Sequence, residues 1–270
     1  MEYQYKGCIP SKYDARDYKL KKAGVTSLPE TYAINNLPRV KNQGSVCSCV
    51  AHATSSILEY HDRMEGNNNH LSTSFIYGIQ KQLCGHEGTG MYLRDACKIV
   101  NTYGDMLEDD CSGNIEVPKA HSIAEEAIKD EQKVKNAEKF KVLSYVRLTK
   151  TDAIKRAIMN HGPVLASVKW YNTFHCDDQH ILAGDQAGDF GYHAVMLYGW
   201  CKDGFLAQNS WGKAWGKQGR FVLPYSIGVR EAWQIVDADV DAVVKPVRGP
   251  IMDIVYKIVN FFANLFYKFS

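Results

Sequence analysis

The chain has 270 residues, of which 45% are hydrophobic and 23% charged, and its formal net charge is +2. This is an ordinary globular composition, long enough for one two-lobed domain or two small ones. Charges of both signs are interspersed and form no long basic stripe of the kind that neutralises many phosphates. Nucleic acid is therefore not an expected partner.

The N-terminal sequence and the cysteines indicate a reducing environment. Residues 1–22 contain no apolar run able to form the core of a signal peptide, which predicts an intracellular location. Eight cysteines are too few for a disulfide scaffold, and we expect most of them to be free thiols. No repeated CxxC pair or HxxxH spacing accompanies the three neighbourhoods that could hold zinc, which are Cys84 with His86, His175 with Cys176, and Cys111. We expect neither a metal nor a cofactor.

The first half of the chain is predicted to be helical. Apolar residues recur at helical spacing over 49–64, and Gly66 with three asparagines ends the run. Further helices are predicted over 72–83 and 93–102, each followed by a glycine-bearing segment. A Glu-, Lys- and Ala-rich stretch at 118–139 is predicted to be a solvated helix or a crossing segment between the two halves.

The second half is predicted to be an antiparallel β lobe. Segments rich in β-forming residues and bounded by Gly, Pro and Asp predict strands over 140–148, 164–170, 193–200, 205–208 and 220–223. Each half is too small for a large independent domain, which indicates one α+β unit with a cleft between its lobes. The predicted divisions are an N-terminal extension (1–27), a helical lobe (28–118), a β lobe (119–240) and a C-terminal tail (241–270).

Three separated segments carry residues suited to thiol catalysis: 41–51 (KNQGSVCSCVA), 191–195 (GYHAV) and 208–216 (QNSWGKAWG). Alone, Cys49 at a helix start is more often a small buried hydrophobe, and His193 before an apolar run is more often a core histidine. Together and in this chain order, the segments resemble the papain family of cysteine peptidases, and the resemblance covers about residues 1–240.

The resemblance implies a papain-like two-lobe fold, with a helical left lobe and an antiparallel, β-barrel-like right lobe on either side of the active-site cleft. It assigns Cys49 as nucleophile, His193 as acid and base, Asn209 as the orienting amide and Gln43 as an oxyanion-hole donor. A helix N-terminus and an adjacent imidazolium both lower the pKa of a thiol, so the Cys49 thiol is expected to have a depressed pKa.

The resemblance also predicts residues that contact substrate. Trp211 is expected to shield the His–Asn hydrogen bond and to line the cleft, Tyr192 to narrow it, and Cys47 to replace a glycine of the family pattern two positions before the nucleophile. Val46 stands where relatives carry a disulfide cysteine, so that disulfide is impossible. The family's glycine-rich substrate ledge is replaced by 85–90, and the sequence leaves open which of those glycines contacts an extended substrate.

The opening segment resembles a microbial subgroup of the family that lacks a long inhibitory propeptide. About 27 residues precede Leu28, too few to fold as a separate inhibitory domain. Zymogen control by such a domain is therefore not expected.

Three functions are open. Hydrolysis of peptides or proteins through an acyl-enzyme, by endopeptidase or aminopeptidase action, is the leading one. The same thiol could serve an acyltransferase or deamidase, because an amine can intercept a thioester when water is excluded. A catalytically silent binding protein on a peptidase fold is the third, since a fold alone does not establish a function.

The C-terminal segment 250–270 lies beyond the family resemblance and is predicted to be an amphipathic helix. Its polar residues fall on one narrow helical stripe surrounded by apolar residues; they are Asp253, Lys257, Asn260, Asn264 and Lys268. A bilayer span is disfavoured because the charges are spread along the segment. The expected alternatives are packing on the enzyme's own surface or on a second copy, binding to a membrane surface, and docking in a partner's groove.

Overall fold

The computed structural model describes residues 7–12, 27–112 and 119–237, together with Asp14, Asp17 and the backbone of 19–20 and 243–244. The helices are α1 Cys49–Met64, α2 Thr73–Cys84, α3 Leu93–Thr102, α4 Lys119–Ala127, α5 Glu131–Ala137 and α6 Thr151–His161, with a 3-10 turn at Glu138–Phe140. The strands are β1 Cys8–Ile9, β2 Lys19–Leu20, β3 Tyr32–Ala33, β4 Met91–Tyr92, β5 Ser144–Leu148, β6 Val164–Tyr171, β7 His175–Cys176, β8 Leu182–Ala183, β9 Phe190–Trp200, β10 Gly204–Gln208, β11 Arg220–Pro224, β12 Glu231–Val236 and β13 Val243–Val244. The C-terminal segment 250–270 lies outside the described residues.

The β lobe is built on one antiparallel sheet. Its main strands follow the order β11-β10-β9-β6-β12-β5, and each neighbouring pair is antiparallel. The long strand β9 pairs with β6 along its first half and with β10 along its second. Helix α6 packs against β9 and β12. The predicted α+β fold with an antiparallel β lobe is confirmed.

The helical lobe is organised around α1, in which 13 of 16 residues are buried. This helix packs against α2 and α3 on one side and against β9 of the β lobe on the other. The Ser72 side chain caps α2 by accepting a hydrogen bond from the Phe75 N–H, and Gly85 ends that helix in the left-handed conformation. Because α1 contacts elements of both lobes, its first residue lies at their junction.

The stretch 118–139, predicted to be a solvated helix or a crossing segment, does begin with a helix, α4, but one face of α4 is buried. Ala120, His121 and Ala124 are buried against α2. The close approach requires Gly78, where a Cβ would lie 2.1 Å from the Ala120 carbonyl oxygen. Among the described residues, no helix is both long enough and apolar enough to cross a membrane.

A buried ion pair supports the segment that leads into α1. The Lys41 ammonium lies 2.7 Å from the Glu59 carboxylate, and their side chains are only 6% and 1% exposed. Lys41 also donates to the Ser55 hydroxyl and to the Leu71 carbonyl, while Glu59 accepts the Leu71 N–H. Every charge of this cluster therefore has a partner, which is the condition for tolerating charge in a core.

Glu59→Gln is expected to lower the free energy of unfolding by about 3–5 kcal/mol, because the isosteric amide leaves the Lys41 ammonium buried without its counter-charge. Urea unfolding followed by circular dichroism measures the loss. Glu87→Gln is the control: the Lys81–Glu87 pair is exposed, and its loss should cost at most about 1 kcal/mol. Equal losses in the two variants would contradict this account of the buried pair.

Candidate active site

Cys49 is the first residue of α1 and lies fully buried at the junction of the lobes. Its sulfur accepts a hydrogen bond from the backbone N–H of Ala194 at 3.4 Å. Ala194 directly follows His193 on β9, so the bond ties the helix start to the strand that carries the histidine. The predicted helix beginning at Cys49 is present.

His193 and Asn209 are joined by a hydrogen bond of 2.7 Å between Nε2 and Oδ1. The same Oδ1 accepts the backbone N–H of Ser210 at 2.8 Å, which fixes the amide with its oxygen toward the ring. An amide oxygen only accepts, so Nε2 carries the proton. In the neutral ring Nδ1 is then the basic nitrogen, as proton abstraction from a thiol requires.

Aromatic rings enclose this hydrogen bond. Trp211 stacks on His193 with ring centroids 4.6 Å apart, and Trp170 meets the histidine edge-on at 5.1 Å. Trp215 packs against both tryptophans. Trp211 is only 4% exposed. Most of its surface packs against His193, Trp170 and Trp215, and little of it faces the cleft.

Gln43 is buried beside the loop that precedes Cys49. Its Oε1 accepts the Ser210 hydroxyl at 2.6 Å, and its Nε2 donates to the Val46 carbonyl at 2.9 Å. Ser210 therefore holds the side chains of both Gln43 and Asn209 through its hydroxyl and its N–H. The four residues predicted as catalytic, Gln43, Cys49, His193 and Asn209, lie in one connected site.

An N-terminal strap, residues 7–12, covers the thiol. The Gly7 backbone contributes a hydrogen bond to the Cys49 thiol, and the Gly7 carbonyl accepts the Met91 N–H at 2.8 Å. Cys8 is paired in parallel with Met91 of β4 and antiparallel with Tyr192 of β9. The strap thus bridges the two lobes directly over the candidate nucleophile.

Side chains of the β lobe hold the strap farther along. The Cys8 thiol donates to the Ser167 hydroxyl at 3.2 Å, and the Ser11 N–H donates to the buried Glu231 carboxylate at 2.8 Å. Glu231 also accepts the indole N–H of Trp233. These contacts bury the Cys8 side chain in the cleft.

Arg94 anchors the far end of the strap. Its guanidinium donates to the Lys12 carbonyl at 2.7 Å and to both carboxylate oxygens of Asp17 at 2.9 and 2.7 Å. Arg147 reaches the same carboxylate at 3.2 Å. Arg94 therefore fixes the last residue of the strap through the Lys12 carbonyl, and its bidentate pair with Asp17, five residues farther along the chain, is among the stronger polar contacts.

Burial changes the chemistry of the thiol. Burial raises the pKa of the Cys49 thiol to about 11, and the hydrogen bonds from Ala194 and Gly7 offset this only in part. The expectation of a lowered pKa is therefore wrong for the strapped molecule, because desolvation outweighs the helix N-terminus. At neutral pH the buried sulfur is protonated.

Tyr192 and Cys47, predicted as substrate contacts, both border the strap. Tyr192 is half-buried and pairs with Cys8, and the Cys47 carbonyl lies against Gly7, where a Cβ would come within 1.9 Å of its oxygen. At the predicted glycine ledge, the residue that offers its N–H to an extended chain is Met91, just after Gly90.

His52, one turn into α1, escaped the sequence analysis. It is buried, its Nδ1 bonds the Ser48 carbonyl at 2.9 Å, and burial lowers its pKa to about 4. It is therefore neutral at physiological pH and adds no charge behind the thiol. Its position three residues after Cys49 on the predicted helix could have indicated that it lies near the thiol.

The described residues contain no group of three metal-ligating side chains suited to a metal ion. All eight cysteines are free thiols in the structure.

The chain is similar to proteins of known families. The model of the papain family of cysteine proteases matches residues 28–232. An uncharacterized peptidase C1-like protein of Acanthamoeba polyphaga mimivirus is 26% identical over 205 residues, covering 68% of this chain and 63% of that protein. Cathepsin B-like cysteine proteinase 1 of Haemonchus contortus is 28% identical over 146 residues, covering 51% and 36%. The chain thus matches less than two thirds of the length of these curated relatives.

Solved structures share the fold. Xylellain, a cysteine protease from Xylella fastidiosa, superposes with a TM-score of 0.75 at 22% identity, covering 87% of this chain and 97% of that one. Procathepsin B from Trypanosoma congolense gives 0.66 at 17% identity, covering 87% and 86%. Because the family match extends over well more than half of the sequence, the chain belongs to the papain family of cysteine proteases.

Proposed function

We propose that the chain is a cysteine-type peptidase that hydrolyses peptide bonds through a thioester acyl-enzyme. The observation that carries the proposal is the His193–Asn209 hydrogen bond, enclosed by tryptophan rings and placed beside a thiol that accepts the Ala194 N–H. This is the nucleophile, base and orienting group of a catalytic triad. Peptides or proteins are then the substrates.

The first half-reaction forms the acyl-enzyme. His193 takes the proton of the Cys49 thiol, and the sulfur attacks the carbonyl carbon of the scissile bond. The resulting oxyanion is stabilised by the Cys49 N–H and the Gln43 side-chain N–H, each donor contributing about 3–4 kcal/mol to lowering the barrier. The carbon–nitrogen bond then breaks, and the imidazolium gives its proton to the leaving amine.

The second half-reaction consumes water. His193 takes a proton from the water as its oxygen attacks the thioester carbonyl. The carbon–sulfur bond breaks, the acid product leaves, and the proton returns to the sulfur. Asn209 keeps the ring in position in both halves and transfers no proton.

A fluorogenic dipeptide and a thiol-reactive epoxide test the proposal together. Hydrolysis that stops when the epoxide adds covalently to Cys49 supports it. Product carrying an added amine in place of the new carboxylate would indicate an acyltransferase. Peptide binding without turnover and without labelling of Cys49, both in the wild-type chain and in Gly7→Ala, whose added Cβ would displace the strap, would indicate a binding protein and overturn the proposal.

His193→Ala is expected to lower kcat/KM by at least about 10³-fold, whereas Asn209→Ala should lower it by roughly 10- to 100-fold. The difference follows from their roles, since one transfers protons and the other only orients the ring. Steady-state kinetics with circular dichroism of both variants measures it. Equal losses in two folded variants would contradict the assignment.

The intracellular location and the role of 250–270 remain predictions. A helix in this segment would serve self-association, a membrane surface or a partner groove. The catalytic residues all precede it, so hydrolysis of a small peptide does not require it.

A further inference from the structure

One wall of the cleft extends outward along strands β6 and β9. The cross-strand pairs Ser167–Ala194, Lys169–Tyr192 and Tyr171–Phe190 are spaced two residues apart and therefore share a face of the sheet. The first pair lies at the candidate active site. The Ala194 N–H donates to the Cys49 sulfur, and the Ser167 hydroxyl accepts a hydrogen bond from the Cys8 thiol of the strap. The other two pairs continue the same wall away from the thiol.

The outer pairs lie within reach of a bound peptide. At about 3.3 Å per residue along a strand, they are roughly 7 and 13 Å from the Ser167–Ala194 pair. An extended peptide has nearly the same rise per residue. In a peptide that runs along these strands, a side chain two to four residues from the scissile bond lies beside them.

These outer pairs form the Lys169 platform, defined as Lys169, Tyr171, Phe190 and Tyr192. The Lys169 Nζ lies 3.8 Å from the Phe190 ring centroid and 4.6 Å from that of Tyr171, and the Tyr192 ring meets Phe190 edge-on. Phe190 is 48% exposed, which is unusual for a phenylalanine. The platform offers solvent an apolar ring with an ammonium on it.

The charge of Lys169 is not neutralised within the described residues. The ion pairs found there involve other lysines and arginines. Aromatic faces attract an ammonium but leave its net charge in place. A ligand that covers Phe190 with methylene groups and brings a carboxylate to Nζ would complement both features, and a glutamate side chain has this composition.

We propose that Lys169 is a specificity-determining residue that selects an acidic side chain of the substrate, with Phe190 receiving its aliphatic part. This inference rests on the proposed peptidase function and names a preference of the same cleft. No other step of the reaction involves Lys169. Its loss should therefore change which peptides are cleaved and leave the chemistry of bond breaking intact.

The test uses internally quenched peptides that differ only in Glu or Gln, scanned over four positions on each side of the scissile bond. At one position the wild-type enzyme should favour Glu over Gln in kcat/KM by roughly 5-fold, the ratio expected of a partly exposed charge pair. Lys169→Met, which keeps the aliphatic stem, should abolish the ratio. Lys169→Glu should invert it in favour of Gln.

Lys155→Met is the matched control. The Lys155 ammonium also lies over aromatic rings, 4.8 Å from the Tyr225 ring centroid and 5.6 Å from the Trp200 ring centroid. Lys155 belongs to α6, however, and not to the wall formed by β6 and β9. The Lys155→Met variant should keep the wild-type ratio of kcat/KM between the Glu and Gln peptides. A wild-type ratio near one at every position, or a ratio that survives Lys169→Met, would overturn the inference.

Binding separates this inference from the proposed function. The same peptides are titrated against full-length Cys49→Ser by fluorescence anisotropy, with and without Lys169→Met. A Glu preference in binding that depends on Lys169 supports the inference even if no peptide is hydrolysed, in which case only the proposed activity fails. Hydrolysis without any such preference leaves the activity standing and overturns the role of Lys169.

Discussion

Cys49→Ser is expected to abolish peptide hydrolysis, lowering kcat/KM by at least about 10³-fold, while the protein keeps its fold. An alcohol is far less acidic than a thiol, so His193 cannot generate a nucleophile of comparable strength. The serine hydroxyl is close in size to the thiol and can still accept the Ala194 N–H that the sulfur accepts now. Kinetics on a fluorogenic peptide measures the loss of hydrolysis, and thermal unfolding measures whether the fold is kept.

Cys201→Ser controls for the general effect of losing a thiol. Cys201 is half-buried at the end of β9, and its replacement should leave turnover within about twofold. Turnover of Cys49→Ser within tenfold of wild type would rule out Cys49 as the nucleophile. A large loss in Cys201→Ser would show that thiol loss anywhere disturbs the protein.

The helix carrying the nucleophile and the strand carrying the histidine could be predicted because their periodicity and motifs are local. The run from Cys49 to Met64 has helical spacing and a glycine stop, and α1 has the predicted bounds. The apolar run after His193 predicted the inner part of β9. The contact between Cys49 and Ala194 joins residues 145 positions apart, and only the family resemblance linked them in advance.

Other elements were missed for reasons that differ from one element to the next. β12 is buried at all six positions of EAWQIV, so no alternation of polar and apolar residues indicates a strand. In α6 only Ile154, Ala157 and Ile158 are buried, a short apolar stripe that received no assignment. The burial of α4 depends on the absence of a side chain at Gly78, 42 positions before Ala120.

The state of the thiol was the largest departure. A helix N-terminus and a nearby imidazole were expected to lower the pKa of Cys49. The thiol does belong to the first residue of α1, and the strand that carries His193 bonds its sulfur through the Ala194 N–H. Their effect is exceeded by the desolvation of the buried thiol. The strap that lies over the thiol was not predicted, because Cys8-Ile9 is too short to be recognised as a strand in the sequence. The sequence prediction concerned only an inhibitory domain large enough to fold separately. A covering segment as short as residues 7–12 was not predicted.

Gly7→Ala is expected to expose the thiol. A Cβ at Gly7 would lie 1.9 Å from the Cys47 carbonyl oxygen and 2.7 Å from its Cα, and these are backbone atoms that cannot turn aside. The strap would therefore leave its position. We expect the rate of Cys49 carbamidomethylation by iodoacetamide at pH 7 to rise at least about tenfold, since the thiolate is the reactive form.

The pH profile gives the sign of the effect. In wild type the thiol has a pKa of about 11, so its thiolate fraction and its alkylation rate should still be rising at pH 10. Without the strap the desolvation is relieved and the pKa falls, so the rise should begin at lower pH. Mass spectrometry of the intact chain from pH 6 to 10 follows labelling at Cys49.

Two further variants separate release of the strap from damage to the loop that holds Cys47. Arg94→Gln removes the anchors at Lys12 and Asp17 without touching that loop, and it should accelerate labelling in the same direction. Gly88→Ala adds the same methyl group where its nearest neighbour is the movable His86 ring, and it should label like wild type. Wild-type labelling rates in both Gly7→Ala and Arg94→Gln would show that the strap does not control access to Cys49.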